Sequence, residues 1–256
     1  MKPSVFKGGA SRERMGEEMI LIFSDVHLHC RQEASLVASG ELNSKLKEQI
    51  EIARQIRTIA DEYGAKHIWF LGDMIESLAD EISDQVYQAA RIITQLLAEK
   101  SEFWFVTGNH DVWGKLTMRA KLASIPKVHI IDQTTRAIIE GKEVDFVPWD
   151  KPLPKRKASI LAGHLMVYGS YVGPSSAFSC KTGIAEHDLV HPQQLEGYDY
   201  IFLGHNHHPQ DLSIPGVKEA RYVGSLMPTS SVTHRSPGSV YLFDNGRIFH
   251  VELEWP

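Results

Sequence analysis

Five short segments, each leaving an apolar run, constrain this chain more than any other feature: Asp25-Val26-His27, Gly72-Asp73, Gly108-Asn109-His110-Asp111, Gly163-His164 and Gly204-His205-Asn206-His207. The runs before them are Ile20 to Phe23, His67 to Leu71, Phe103 to Val106, Ser159 to Leu161 and Tyr200 to Leu203. Apolar runs bounded by glycine and polar residues read as buried strands. Carboxylate, amide and imidazole groups should therefore collect on strand-end loops, where α/β proteins gather their chemistry. That site is distributed along the whole chain.

The intervening sequence supplies crossovers. Leu42, Leu46, Ile50, Ala53, Ile56, Ile59 and Tyr63 recur at helical spacing, with Gly64 as a stop, and a second helix is expected from Asp84 to Lys100 on the stripe Val86, Ala90, Ile93 and Leu97. Strand, motif, helix and strand in alternation predict βαβ units and a largely parallel sheet. The second half changes character. Thr135 to Val147 reads as a hairpin turning at Glu140-Gly141, and Ser239 to Glu254 as another turning at Asn245-Gly246. Two mixed β-sheets packed together and flanked by helices, a four-layer α/β/β/α sandwich, accommodate both halves.

Length and charge narrow the class. At 256 residues with no Pro/Ser/Gly-rich linker, one large domain is expected over 19–256. Residues 1–18 carry Lys2, Lys7, Arg12 and Arg14 but no apolar core, so a flexible tail is expected there and a secretory signal is not. No apolar run approaches the roughly 20 residues a membrane span needs. Two cysteines, Cys30 and Cys180, are too few for a disulfide framework, and a reducing cytoplasm fits. The net charge of −5 argues against a surface coated in basic groups for nucleic acid, although it leaves room for a local groove.

The ligand types point to metal. Asp25 and His27 can converge on one ion only if the chain turns between them, and Asp73, after a glycine that lets backbone approach closely, is a natural bridging carboxylate. Asn109 offers an amide oxygen; His164, His205 and His207 offer imidazoles. Such ligands without thiolate suit manganese first, with iron or zinc as alternatives. Two cations about 3.5–4 Å apart activate water and stabilise an in-line displacement at phosphorus. His110 is placed to protonate the leaving oxygen, with Asp111 expected to orient its ring. His29, His208 and His234 lie beside the motifs. His67, His129, His187, His191 and His250 are expected to be structural, Trp69 and Trp104 to be core, and Trp113 either core or a substrate-lining aromatic.

Together these segments resemble the signature of the calcineurin-like metallophosphoesterases, from Ile20 to His207 and on into the closing strands. The resemblance implies one metal on Asp25, His27 and His207, another on Asn109, His164 and His205, and Asp73 between them. Within that superfamily, Ser24-Asp25-Val26-His27-Leu28, Asp111, Tyr222-Val223-Gly224-Ser225 and Gly238-Ser239-Val240-Tyr241-Leu242 are similar to the nuclease subunit of the bacterial SbcCD complex and its break-repair relatives. Many of those nucleases carry histidine where this chain has Glu76, and the chain stops at Pro256, before the region with which larger relatives cap DNA and dock an ATPase subunit.

The resemblance makes a manganese-dependent DNA nuclease the leading expectation, with a separate ATPase subunit or a homodimer as partners and no membrane. Lys155, Arg156 and Lys157 are then expected to bind substrate phosphates, alongside Lys151 and, after the third motif, Lys115, Arg119 and Lys121. The competing expectation is a phosphodiesterase or phosphatase for a nucleotide or other small ester, whose pocket needs fewer cations. A third reading, a scaffold without catalysis, has no use for Asp73 and His110.

Overall fold

The computed structural model describes residues 18–29, 42–76, 83–112, 116–170, 189–227 and 238–254. Cys30, Cys180, Trp113, Lys115, His187, His234 and the amino-terminal tail lie outside them.

The first sheet begins with β1 (Ile20–Phe23), β2 (His67–Phe70), β3 (Glu102–Val106) and β4 (Val128–Ile131), all parallel. Two long helices supply its crossovers. Helix α1 (Ser44–Glu62) starts where the Asn43 side chain accepts the Leu46 N–H at 2.9 Å, and it stops at Gly64, which adopts φ +64°. Helix α2 (Asp84–Ala98) is capped in the same way by Ser83. The short α3 (Asn109–Val112) and α4 (Leu116–Ala123) follow β3. The expected apolar stripes face the sheet, where Ile50, Ile56, Ile93 and Leu97 pack with Leu21, Phe23, Phe70, Phe103 and Phe105.

The second sheet takes β5 (Thr135–Ile139), β6 (Lys142–Val147), β7 (Ile160–His164), β10 (Tyr200–Gly204), β11 (Gln210–Asp211) and β12 (Glu219–Tyr222). Between β7 and β10 lie the small pair β8 (Met166–Val167) and β9 (Leu189–Val190). The closing hairpin, β13 (Ser239–Asp244) and β14 (Arg247–Glu252), returns to the first sheet, with β13 antiparallel to β1. Both two-residue turns are where the sequence put them: Glu140-Gly141 and Asn245-Gly246 hold positive φ throughout, the conformation whose twist matches that of the flanking strands.

The two sheets meet across a dry layer in which Trp69 packs edge-on to Phe146 and Phe202. Trp104 stacks on Phe146 and His129, and its indole donates to His67 Nδ1 at 3.2 Å, so these histidines are structural as expected. The outer face of the second sheet buries Tyr198, Tyr222 and Leu161. Among the described residues that face is covered by loops and the 3-10 turn Pro192–Leu195 rather than by a long helix. The architecture is therefore an α/β sandwich of two mixed sheets flanked by helices.

This packing brings the carboxyl ends of β1, β2 and β3 against those of β7 and β10. Glycine makes the contact possible. A Cβ on Gly72 would run into His164 and lie 2.8 Å from the Gly108 nitrogen, and Gly72 also holds φ +97°. By contrast Gly64, also at positive φ, has open space around it. Gly64→Ala should therefore lose about 1–2 kcal/mol from backbone strain alone, while Gly72→Ala should lose more than twice as much in urea unfolding; equal losses would show that the close approach is not a constraint.

Candidate metal centre

All seven residues expected as metal ligands converge at this junction. The loop after β1 is locked to the one after β2 by backbone bonds of 3.0 Å from Asp25 N to Gly72 O, 3.0 Å from His27 N to Asp73 O and 2.9 Å from Leu28 N to Met74 O. Asp25, His27 and Asp73 all take positive φ, as does His205 at +87°. Non-glycine residues held there store strain of order 1–3 kcal/mol each, which persists only where the surroundings over-determine them. The turn required for Asp25 and His27 to face one point is thus present, and Gln49 of α1 fixes it by donating to the Val26 and His27 carbonyls.

Two groups of donors share one carboxylate. In the first, His27 Nε2 lies 2.9 Å from His207 Nε2, 3.5 Å from Asp25 Oδ1 and 3.7 Å from Asp73 Oδ2. In the second, Asn109 Oδ1 lies 3.0 Å from His164 Nε2 and 2.9 Å from His205 Nδ1, and His164 Nε2 is 3.4 Å from Asp73 Oδ2. His164 donates from Nδ1 to the Leu71 carbonyl at 2.6 Å, which leaves the Nε2 lone pair aimed at this group.

The electrostatics call for a cation. Asp25, Asp73 and Asp111 are essentially inaccessible to solvent, and Asp25 Oδ1 has no hydrogen-bond donor among the described residues. Burial opposes charge on His27, yet contact with Asp25 and Glu76 and the field of Asp73 push its pKa up to about 10. His164 likewise rises to about 9 against burial, chiefly through Asp73. Burial and then the neighbouring His164 drive His205 down to about 3. Facing lone pairs, an orphaned buried carboxylate oxygen and histidines drawn toward positive charge fit divalent metal in place of protons.

Asp111 departs from its expected role. Its carboxylate accepts the backbone N–H groups of Asp73 at 2.8 Å, Met74 at 3.0 Å and Gly108 at 2.9 Å, so it clamps the second motif to the third. Burial, and then the charge of Asp73, raise its pKa to about 7 despite those bonds. The His110 ring is oriented instead by the Glu76 carbonyl, 3.0 Å from Nδ1, while the His110 backbone N–H donates to Asp73 Oδ1 at 2.9 Å. A three-donor clamp is invisible in sequence because backbone N–H groups carry no residue label.

The basic trio is also displaced. Arg156 pairs with Glu143 near the start of β6 at 2.9 Å, and Lys157 donates to the Gln194 and Glu196 carbonyls at 2.5 Å. With exposed Lys155 they lie at the amino end of β7, whereas His164 closes its carboxyl end; five residues at about 3.3 Å separate those ends by about 13 Å. Arg119 pairs with Asp132 and Lys121 lies over Tyr87, so among the described members of this set Lys151 is the cation on a cleft near the ligands. His29 braces the His27 carbonyl rather than entering either group.

Two contributors escaped the sequence reading. Glu76, marked there only as a departure from related nucleases, sits with its carboxylate 2.7 Å from His27 Nδ1, on the side of the ring away from Asp25. Its spacing of three residues from Asp73 was the available signal. Trp149, whose ring stacks on His205 with centroids 4.6 Å apart, follows a strand exit as the motifs do but bears no metal-ligand atom. Carboxylates behind ligand histidines fix ring orientation, and their loss costs about 10–100-fold in metal affinity. Glu76→Gln should weaken metal binding by that factor, measured by calorimetry, with the circular dichroism of the parent; unchanged affinity would make Glu76 a bystander.

A sequence model of the calcineurin-like phosphoesterase superfamily domain matches residues 19–247. A solved structure described as a novel archaeal phosphodiesterase aligns at 13% identity and TM-score 0.50, covering 92% of this chain and 99% of that one. The protein TT1561 of Thermus thermophilus aligns at 13% identity and TM-score 0.54, covering 93% and 99%. At such identity these two structures speak for the fold alone. No curated protein matches the sequence. The family match runs from the strand before Asp25 past His207 into the last hairpin, and so takes in both donor groups: this chain belongs to the calcineurin-like phosphoesterase superfamily.

Proposed function

We propose that the chain hydrolyses phosphodiester bonds of small organic esters, with one divalent metal held by Asp25, His27 and His207, a second by Asn109, His164 and His205, and Asp73 shared. The observation that carries this reading is the position of Asp73 Oδ2, 3.7 Å from His27 Nε2 and 3.4 Å from His164 Nε2, between two otherwise separate donor sets. Manganese suits oxygen and imidazole donors without thiolate; iron and zinc suit them too. Two such ions supply an activated water and charge stabilisation for in-line attack.

The protein's own groups do the rest. A water gives up one proton to solvent as its oxygen forms a bond to phosphorus, the bond to the departing alcohol breaks, and that alcohol oxygen takes up a proton. His110 is the group we assign to deliver it. With Nδ1 engaged by the Glu76 carbonyl, Nε2 is the nitrogen left to exchange a proton, and the backbone bond to Asp73 keeps the residue against the shared carboxylate. His110→Ala should lower turnover about 10²–10⁴-fold with bound metal unchanged, whereas Asp73→Asn should lose metal and activity together. Metal loss in the His110 variant, read by elemental analysis, would make that residue a ligand.

A DNA nuclease of the SbcCD kind, the leading expectation from the sequence, becomes the second reading, because the positions of the cations weigh against it. A duplex must lay flanking phosphates on basic groups near the metals, whereas Lys155, Arg156 and Lys157 lie at the far end of β7, with Arg156 and Lys157 engaged by Glu143 and by the Gln194 and Glu196 carbonyls. Replacing all three with Gln should leave hydrolysis of bis(p-nitrophenyl) phosphate and any cleavage of linear DNA unchanged at low and high salt. Selective loss of DNA cleavage with a flatter salt dependence would restore the nuclease reading.

A further inference from the structure

A cleft of about 510 Å³ opens beside the metal centre, on the side of the second sheet. It lies between the loop that leaves β6, carrying Trp149 and Lys151, and the segment after His164, carrying Leu165 and Met166. Leu189 and Val190 of β9 form another wall. Trp149 joins cleft to centre: one ring stacks on His205 and lies edge-on to His164 at 6.2 Å, and the same side chain lines the cleft. The Trp149 backbone N–H donates to the Thr107 carbonyl at 3.0 Å, which ties this wall to the loop bearing Asn109 and His110.

We infer that this cleft is the pocket for the organic substituent of the phosphodiester, and that it takes an uncharged planar ring of the nucleobase or aryl type. The inference rests on the phosphodiesterase reading for the phosphate and adds the identity of what the phosphate carries. Three observations choose the class. The volume lies within the range of small-ligand pockets, which are mainly apolar with a few polar groups. The walls offer the half-buried Trp149 ring beside the small accessible parts of Leu165, Met166 and Leu189, an aromatic face on which a flat ring can stack. Among the described residues the charges on the rim are one cation, Lys151, and one anion, Asp150, which balance. Among these described residues a further phosphate would find Lys151 alone, already beside Asp150, whereas a single ring would find stacking and, at Lys151 and Gln194, hydrogen-bond partners.

The ring would lie next to the His205 side of the centre, its phosphate at Asp73. Narrowing the cleft should therefore affect recognition of the ring and spare the chemistry. Val190→Trp fills one wall, and Gln194→Trp does so from an exposed rim position at the cost of the bond its side chain accepts from the His191 N–H, so the circular dichroism of each variant is matched to the parent first. With the manganese-loaded full chain, each variant should raise KM for thymidine 5′-(p-nitrophenyl phosphate) at least tenfold while kcat/KM for sn-glycero-3-phosphoethanolamine, a diester without a ring, stays within twofold. Calorimetry of adenosine 5′-monophosphate against inorganic phosphate supplies a readout independent of turnover. The parent should bind the nucleotide at least tenfold more tightly than phosphate, and the variants should lose that margin. If both esters are hydrolysed but the variants treat them alike, the pocket assignment falls and the phosphodiesterase reading stands. If neither ester is hydrolysed yet the nucleotide margin is present and lost in the variants, the pocket stands and the reading falls. A parent that binds nucleotide no better than phosphate overturns the pocket outright.

Discussion

Everything at the centre depends on two backbones approaching more closely than side chains would allow. Gly72, Gly108 and Gly204 stand where β2, β3 and β10 end, and a Cβ at any of them would collide with Asp73, His164, Ser24 or the Leu71 carbonyl. With that space free, His164 of the second sheet reaches the Leu71 carbonyl of the first, and the His205 N–H reaches Asp25 Oδ2 at 3.2 Å. The dry layer between the sheets supplies the driving force, since Trp69, Phe146, Phe202 and Phe243 are withdrawn from water there. Hydrophobic packing brings the sheets together, and glycine sets how close their ends may come.

That closeness carries an electrostatic cost which shapes the chemistry. Asp25, Asp73 and Asp111 are buried within one small volume, and uncompensated charge in such a place is expensive. The protein answers in two ways. Asp111 is surrounded by three backbone N–H groups and becomes a structural clamp, while Asp25 and Asp73 face imidazoles across gaps wide enough for cations. Glu76 adds a further negative group behind His27, which makes that ring a better donor and holds its orientation. The strained φ angles at Asp25, His27, Asp73 and His205 are maintained by the same network, so the protein's own hydrogen bonds fix the positions of these donors.

Periodicity, turn chemistry and ligand type were legible along the chain. β1, α1, the start of α2 and both hairpins fall where apolar spacing, capping residues and Gly-containing turns put them, because these are local properties of a few neighbouring residues. The seven donors were legible for a different reason: each needs a particular side chain at a strand exit, and residue type is what a sequence displays directly.

Contacts between distant segments were settled only by the tertiary structure. The closing hairpin joins the first sheet beside β1, not the second sheet next to it in sequence, because β1 had an open edge and Leu242 and Phe243 had apolar partners on both of its faces. Asp111 looked like a partner for the adjacent His110, yet its carboxylate is spent on backbone donors up to 38 residues away. Lys155, Arg156 and Lys157 looked like a phosphate-binding patch, yet they precede β7 at the end remote from His164. Sequence determined which groups the protein possesses and which local shapes present them. Which ends of the strands meet, and so which groups share a site, follows from long-range packing, where free energy depends on surfaces brought together from across the whole chain.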